Sequence, residues 1–254
     1  MINWEKIKNK EIVAIYKPKG WPSFRVISYL RQKLGIKKIG FLGTLDPAAE
    51  GVLAVGIGAG TKKLKDLPKD KEYLAQIAFG LETETWDLEA KEFKFSKPPK
   101  ISKKELEKTL KSFEGKIEQV IPMFSAKQIH GQRLYKLARA GKTLDKLPTK
   151  IVEIYQIKFI ELKNKKVTSP ESQDEPRPTE QCQSFGRVAN RCGREDKILP
   201  VLTIKVACGS GTFIRSLAYE LGQKLNTTAT LISLIRTKDG GYNIKEAIKL
   251  PKID

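Results

Sequence analysis

The sequence is poor in the residues on which metal centres, disulfides and hydrolytic triads depend. Its 254 residues include one histidine, His130, and three cysteines, Cys182, Cys192 and Cys208, without Cys-x-x-Cys spacing. This pattern does not favour a His/Cys zinc site or a Ser/His/Asp triad, so we expect no metal. The odd cysteine count, without a basic-then-apolar signal segment, predicts a reducing, cytoplasmic location.

Long apolar runs are missing as well. The longest, residues 51–60, is about half the length of a helix that spans a bilayer. It carries Gly56, Gly58 and Gly60, but these glycines match neither the P-loop nor the dinucleotide-binding spacing. We therefore expect neither a membrane span nor a nucleotide cofactor, and we interpret this run as a tightly packed strand and turn.

Acidic residues are outnumbered, and the excess of positive charge is the most informative bulk property. Lysine and arginine number 48 against 29 aspartate and glutamate residues, which gives a formal net charge of +19. Such an excess favours a polyanionic partner, and nucleic acid is the commonest one because each phosphate contact releases condensed counterions. An anionic membrane surface, or lysines that only keep the surface soluble, are the alternatives.

Apolar periodicity predicts regular elements along most of the chain. Short apolar or alternating runs predict strands, and helical spacing predicts helices; the strands are expected at residues 12–16, 73–79, 152–162 and 201–208, and the helices at 24–34 and 213–225. Another helix is expected to begin after Ser102, which forms a capping-box pattern with Glu105, and to end before Gly115.

Two segments differ from this regular pattern. In residues 122–150, lysines and arginines surround the apolar Leu134 and Leu137, which predicts one apolar helical face and a positive remainder suited to gripping RNA. Residues 164–199 are rich in Ser, Pro, Gln, Glu and Arg, lack periodicity and exceed the usual length of a loop between paired strands. We interpret them as an irregular, mobile insertion.

Asp46 is the first candidate for chemistry. It lies in the segment Gly-Thr-Leu-Asp-Pro-Ala-Ala-Glu-Gly-Val-Leu, residues 43–53. The local pattern alone favours a helix start, with Asp46 as the N-cap and Pro47 in the first helical position. The functional alternative is an ionised carboxylate in a cleft, serving as a nucleophile or a base.

Arg215 is the candidate for orienting that carboxylate, because the sequence has no histidine near Asp46. It follows a glycine-bearing turn, residues 208–213, and enters the first turn of a predicted helix. An ordinary surface arginine is the alternative, since exposed ion pairs contribute little.

Taken together, the two segments resemble the signature motifs of the pseudouridine synthase family, in particular its tRNA pseudouridine synthase B branch. Residues 43–53 resemble the Gly-Thr-Leu-Asp-Pro-x-Ala-x-Gly-Val-Leu catalytic segment, and residues 211–215 resemble the Gly-Thr-Tyr-Ile-Arg segment. Outside residues 164–199, further matches follow in the same order along nearly the whole chain: Lys17-Pro18-x-Gly20, Lys71-x-Tyr73, Gly80, Thr83, Thr85, Asp87, Pro122-Met123-x-Ser125-Ala126, Gly131, Leu134, Tyr135, Ala138, Leu234 and Arg236-Thr237.

The resemblance implies an α+β pseudouridine synthase fold, with a mixed, mainly antiparallel bent sheet flanked by helices and a cleft across its middle. It implies a single catalytic domain over residues 1–254 and a cofactor-free reaction, in which uracil is detached from its ribose nitrogen linkage, rotated and rejoined through carbon. The implied substrate is the uridine at position 55 in the T loop of tRNA, flipped outward at a cost of roughly a few kcal/mol. The T arm of tRNA is then the partner, and a monomer is the simplest expectation.

The resemblance also implies a role for each matched residue. Asp46 is the catalytic carboxylate, acting on either the sugar or the base. Tyr73 stacks on the flipped uracil and is placed to accept its C5 proton, while Arg215 keeps Asp46 ionised and aimed. The other candidates are substrate-binding or RNA-binding residues: Lys17, Phe41, Gly43, Thr44, Asp87, Lys127, Arg133, Tyr135, Arg139 and Leu234.

The chain departs from the branch pattern in ways that leave two alternatives open. Phe41 replaces the usual histidine, so this position can stack on RNA but cannot hydrogen-bond to it, and Phe213 replaces a tyrosine and loses only its hydroxyl. We find no match to the small C-terminal RNA-binding domain of many relatives, which predicts lower RNA affinity or a larger share for the basic surface. The alternatives are the same chemistry on another RNA and a non-catalytic RNA-binding protein of this fold.

Overall fold

A computed structural model describes the fold over residues 2–129, 131–141, 144, 146–168 and 196–251. The helices are α1 (Trp4–Lys8), α2 (Ser23–Leu34), α3 (Gly60–Lys63), α4 (Lys103–Lys111), α5 (Leu134–Arg139) and α6 (Ile214–Lys224). The strands are β1 (Ile12–Lys17), β2 (Ile39–Phe41), β3 (Glu50–Ile57), β4 (Lys71–Phe79), β5 (Leu81–Glu82), β6 (Lys94–Phe95), β7 (Gly115–Val120), β8 (Gln128–Ile129), β9 (Gln132–Arg133), β10 (Thr149–Thr168), β11 (Asp196–Cys208), β12 (Ala229–Asp239), β13 (Tyr242–Asn243) and β14 (Ile248–Lys249). None of the helices in these ranges is both long and apolar enough to cross a membrane.

One large sheet organises the molecule. Its strand order is β14-β1-β3-β12-β4-β11-β10-β7, with β2 paired to β3 and β13 paired to β12. The β1–β14 and β3–β12 pairs are parallel and the other pairs are antiparallel. Register shifts in the β10–β11 and β12–β4 pairs bend the strands locally. The predicted α+β fold, with a mixed and mainly antiparallel sheet flanked by helices, is confirmed.

The helices cover two halves of this sheet. On the β1–β3 half, α2 buries the helix-spaced Val26, Ile27, Leu30 and Leu34 in one hydrophobic cluster. On the β4–β11 half, α4 and α6 pack into a second cluster that includes Tyr73 and Leu234. β12 contributes Leu234 to this second cluster and lies between β3 and β4 in the sheet, so side chains on this strand can reach both halves of the molecule.

Several sequence predictions of local structure are confirmed, including the cap of α4. Ser102 Oγ accepts a hydrogen bond from Glu105 N at 3.2 Å. The predicted bounds of the insertion were wrong at both ends, because β10 extends to Thr168 and β11 begins at Asp196. Their backbone pairing accounts for residues 164–168 and 196–199, whereas the rest of the predicted insertion, with Cys182 and Cys192, lies outside the described residues.

A close crossing of β3 and β12 sets the position of the central loop. The two strands pair only at Glu50 with Ile235 and at Gly51 with Arg236. Gly51 has φ +114°, and a Cβ atom there would collide with the Arg236 backbone. Glycine is therefore required for this approach, which carries the loop before β3 to the middle of the sheet.

Candidate active site

Asp46 lies in the loop between β2 and β3, and the helix start favoured by its local pattern is wrong. The backbone makes a turn, with Ala49 N donating to Asp46 O at 3.1 Å, and then enters β3 at Glu50. Asp46 is thus free of any capping role, and its carboxylate is about one-third exposed. This placement fits the functional alternative.

The loop is fastened at successive points, which is why it does not continue as a helix. Ser23 Oγ donates to Leu45 O at 2.8 Å and accepts from Leu45 N at 2.9 Å. Gly20 N donates to Pro47 O at 2.8 Å. Ala48 N donates to a Glu89 carboxylate oxygen at 2.9 Å. These bonds use the backbone groups on both sides of Asp46 and hold its side chain in one direction.

Arg215 contacts Asp46 from the first turn of α6, as the sequence predicted. Its Nε lies 3.0 Å from Asp46 Oδ2 and 3.4 Å from Asp87 Oδ2. Nη1 donates to Thr85 O and Nη2 donates to Phe124 O, both at 3.1 Å. Because the guanidinium is almost fully buried and bonded on all three nitrogens, it is a fixed part of the site rather than a surface arginine.

Asp87 is held beside this arginine by its own turn. Thr85 Oγ1 donates to Asp87 Oδ1 at 2.6 Å, and Glu89 N donates to the same oxygen at 2.9 Å. Burial raises the pKa of Asp87, while the neighbouring guanidinium and the threonine hydroxyl oppose the rise. The preceding Trp86 has φ +60° and stacks on Tyr219 of α6, with ring centroids 4.2 Å apart. A strained backbone next to this carboxylate is consistent with a functional site.

A cavity of about 350 Å³ opens between the Asp46–Arg215 pair and the basic segment, which the sequence predicted over residues 122–150. Tyr73 and Leu234 form part of its wall, so a planar base entering it would meet an aromatic ring and an aliphatic side chain. Burial raises the pKa of Tyr73, and the charge on Arg236 opposes the rise. The residues that line the cavity are Gly43, Thr44, Leu45, Asp46, Lys71, Tyr73, Ile121, Phe124, Ser125, Ala126, Lys127, Lys150, Gly211, Thr212, Phe213, Ile214, Arg215 and Leu234.

Lys17 does not have the position expected of an RNA-binding residue. Its side chain is fully buried, and its ammonium donates to Trp21 O at 2.6 Å, Pro18 O at 3.0 Å and Pro47 O at 3.3 Å. Burial lowers the pKa of Lys17 to about 8, against the attraction of Asp46. Direct RNA contact does not fit these bonds, because the side chain instead braces the Asp46 loop.

Phe41 also lies away from the cavity wall. It ends β2 opposite Val55 and packs against the hydrophobic cluster beneath α2. Phe41 is only half-buried there, and its stacking on RNA stays a prediction.

The basic segment reaches the cavity through Lys127. Lys127 O accepts from Leu134 N at 2.9 Å, which ties the first turn of α5 to the cavity wall. The other predicted RNA contacts are outside the lining: Arg133 ends β9, and the Arg139 guanidinium lies 5.6 Å from the Tyr135 ring centroid on α5. The helix predicted in the basic segment is short, since α5 covers only Leu134–Arg139, and the β8–β9 hairpin precedes it. His130 lies outside the described residues.

Sequence comparison decides the family. Residues 31–173 match the family described as TruB family pseudouridylate synthase (N terminal domain). The chain belongs to the TruB family. It is 35% identical over 242 residues to the tRNA pseudouridine synthase B of Trichormus variabilis, covering 95% of this chain and 71% of that protein. The tRNA pseudouridine synthase B of Clostridium tetani is 35% identical over 244 residues, covering 96% of this chain and 72% of that protein.

Solved structures agree on the fold of this TruB family chain. A chain of a Cbf5-Nop10-Gar1 complex superposes with a TM-score of 0.64 at 21% identity, covering 98% of this chain and 55% of that one. A chain of an H/ACA RNP bound to a substrate RNA containing 2'-deoxyuridine gives a TM-score of 0.60 at 19% identity, covering 96% and 53%. This chain thus spans about half the length of those solved chains, and the likeness concerns the fold.

The TruB family site contains a buried charged cluster to which the sequence analysis assigned no role. Arg236 and Asp239 are both fully buried, and their Nη2 and Oδ2 atoms are 3.1 Å apart. Arg236 also donates from Nε to Val52 O at 2.7 Å and from both Nη atoms to Gly43 O at 3.2 and 3.3 Å. Lys71 Nζ lies 3.8 Å from Asp239 Oδ1. The cluster joins β12 and β4 to the start of the Asp46 loop.

Strand alternation was the signal that could have found this cluster. Lys71 precedes Tyr73 by two residues on β4, and Arg236 follows Leu234 by two residues on β12. Residues two apart on a strand share a face, so Lys71 and Arg236 each lie on the face of a residue that was already a candidate. Asp239 has no such signal, because a register shift in β12 follows Arg236.

Proposed function

We propose that this chain isomerises the uridine at position 55, in the T loop of tRNA, to pseudouridine. The observation that carries the proposal is the Asp46 carboxylate, fixed by Arg215 at 3.0 Å on the wall of a cavity that also presents Tyr73. The relatives named tRNA pseudouridine synthase B support tRNA as the substrate. We further propose a single catalytic domain that works as a monomer in the cytoplasm, without a metal or a cofactor.

The target uridine has to leave the folded loop to reach this cavity. Unstacking costs roughly a few kcal/mol, and contacts with Tyr73 and Leu234 inside the cavity offset that cost. Lys127 and Lys150 at the cavity offer positive charge for the phosphates on either side of the flipped nucleotide. The basic segment would then hold the T arm while the base turns outward.

The reaction breaks the bond between ribose C1′ and uracil N1 and forms a bond from C1′ to uracil C5. The proton on C5 is lost, and N1 gains one, so the product is an isomer of the substrate. Asp46 assists this exchange by acting on the sugar or on the base, and Arg215 keeps its carboxylate ionised and directed into the cavity. Tyr73 stacks on the detached base and is placed to accept the C5 proton.

Release of tritium from C5-labelled uridine in a T-arm transcript tests the proposal directly. We expect release by the wild type and none above background by Asp46→Asn, with RNA binding retained. The matched control is Asp66→Asn, which changes an exposed carboxylate outside the cavity and should release tritium at the wild-type rate.

Other outcomes would favour the two rival functions. Binding of T-arm RNA without release by any variant would favour a non-catalytic RNA-binding protein. Release only from a different RNA, such as a ribosomal fragment, would keep the chemistry and replace the tRNA target. Release by Asp46→Asn at the wild-type rate would remove Asp46 from the mechanism.

A further inference from the structure

Lys71 has a position in the cavity that the proposed mechanism does not use. It lies on the same face of β4 as Tyr73, two residues away, which corresponds to about 7 Å along a strand. Its ammonium lies against Gly43, because a Cβ atom added to that glycine would collide with Nζ. Lys71 is therefore next to both the aromatic wall of the cavity and the loop that carries Asp46.

The Lys71 ammonium has hydrogen-bonding capacity to spare. Its nearest anionic partner, Asp239 Oδ1, is 3.8 Å away, which is beyond hydrogen-bond range. Among the described residues Lys71 Nζ makes no hydrogen bond, and Asp239 Oδ1 is buried without a hydrogen-bond partner. An ammonium carries three donors, and leaving them unused in a buried site is costly.

The other buried cations around the loop are already committed. Lys17 donates to three backbone carbonyls. Arg215 contacts two carboxylates and donates to two backbone carbonyls. Arg236 donates to the carbonyls of Gly43 and Val52 and pairs with Asp239. Lys71 thus differs from each of them in having donors left for a molecule that enters the cavity.

Charge balance in the cluster points to a ligand that carries negative charge. Lys71 and Arg236 contribute two positive charges, whereas Asp239 contributes one negative charge. Burial lowers the pKa of Lys71, and Arg236 adds to the lowering while Asp239 opposes it. A buried ammonium with a lowered pKa is a stronger hydrogen-bond donor than an exposed lysine.

We propose that Lys71 is a further catalytic residue, which donates a hydrogen bond to a carbonyl oxygen of the flipped uracil and stabilises the negative charge of the detached base. This rests on the proposed function. When the C1′–N1 bond breaks, its electron pair leaves with N1 and is delocalised onto the uracil oxygens. When C5 attacks C1′, a pair from the ring forms the new bond, C5 loses its proton and N1 takes one up.

The depth of Lys71 in the cavity favours contact with the flipped base over contact with the RNA phosphates. The Lys71 side chain is only 10% exposed, whereas Lys127 and Lys150 are exposed lysines of the same cavity. Phosphates remain on the RNA strand when a base is flipped, so the exposed lysines are better placed to meet them. A base that stacks on Tyr73 brings its edge to the depth of Lys71.

The experiment compares Lys71→Met and Lys71→Gln with the wild type on a T-arm transcript, measuring kcat and KM for conversion to pseudouridine. Loss of one preorganised donor to a developing anion predicts a fall in kcat of about 100-fold for Lys71→Met, with KM nearly unchanged. Lys71→Gln keeps a neutral donor, so its kcat should lie between those of the wild type and Lys71→Met. The matched control is Lys205→Met, whose ammonium pairs with Glu72 outside the cavity and whose loss should leave kcat unchanged.

A second arm replaces the phosphates flanking the target uridine with neutral methylphosphonates. If Lys71 contacts the base, the kcat difference between wild type and Lys71→Met persists on this RNA. Disappearance of the difference would overturn the proposal and assign Lys71 to phosphate binding. Wild-type kcat in both variants, or a defect that only follows a loss of folded protein in urea unfolding, would also overturn it.

The outcomes keep this inference separate from the proposed function. An active wild type with fully active Lys71 variants removes only the role of Lys71. A wild type that converts no RNA overturns the proposed function and this inference together. If Lys71→Met does not fold at the assay temperature, the kcat of Lys71→Gln decides, with a value equal to wild type counting against the proposal.

Discussion

Arg215 contacts Asp46 through its Nε atom, which lies 3.0 Å from Asp46 Oδ2 and 3.4 Å from Asp87 Oδ2. The other two guanidinium nitrogens bind the carbonyls of Thr85 and Phe124. The arginine therefore connects the Asp46 loop, the turn of residues 83–87 and the segment that leads into the basic region. Its planar fork serves all these acceptors at once, which a lysine cannot do.

Arg215→Lys should reduce kcat on T-arm RNA by about 100-fold while leaving RNA affinity within a few-fold of wild type, because a small misplacement of a catalytic group is costly. Single-turnover conversion and filter binding measure the two quantities. Arg25→Lys, an exposed arginine on α2, is the control. Equal activity of Arg215→Lys and wild type would mean that charge alone, without the fork geometry, is sufficient.

Arg236→Met should destabilise the fold by about 3–5 kcal/mol, because Asp239 is then left charged and fully buried, with a hydrogen bond from Ala54 N and the Lys71 ammonium at 3.8 Å. The double variant Arg236→Met/Asp239→Leu removes both charges and should recover a large part of that loss. Urea unfolding followed by circular dichroism gives the free energies. If the stability losses of Arg236→Met and Asp239→Leu measured singly simply add in the double variant, the two side chains are not coupled.

Lys17 predicts a pH dependence of stability with a definite sign. Its pKa is lowered from 10.5 to about 8 in the fold, so between these values the unfolded chain binds more protons than the folded one. Stability therefore rises with pH across this window, by about 3 kcal/mol at most, as the cost of a buried charge is relieved.

The measurement is the free energy of unfolding from pH 7 to 11 for wild type and Lys17→Met. From about pH 8 upward, where the lowered pKa of Lys17 is reached, the free energy of unfolding of the wild type should rise relative to that of Lys17→Met. A wild type that loses stability relative to Lys17→Met in this window would show that the three carbonyl contacts outweigh burial and raise the pKa of Lys17.

RNA affinity should fall steeply with salt, because phosphate contacts release counterions. In a plot of log affinity against log salt, Lys127→Ala and Lys150→Ala should each reduce the slope by about 1. Lys103→Ala on α4, outside the cavity lining, is the control and should retain the wild-type slope. A flat salt response of the wild type would count against phosphate-dominated binding.

Local structure could be predicted from the sequence where neighbouring residues decide it. The apolar spacing of α2, the Ser102 cap of α4 and the alternation in β4 are short-range patterns, and each produced the expected element. Asp46 and Arg215 could be proposed as partners from the two motif segments, although 169 positions separate them. Their contact at 3.0 Å agrees with that expectation.

What the sequence by itself determined, then, is the elements with a strong local pattern and the chemical groups available, since both depend on residues close together in the chain. The central strand β12 was not among the predicted elements. Only the tertiary structure decided which groups are free to act. Asp46 starts no helix and Lys17 is unavailable to RNA because bonds from Ser23, Gly20 and Pro47 fix the loop between them. Arg236 reaches Gly43 across 193 positions, and such contacts, which decide burial and charge pairing, depend on how distant strands meet.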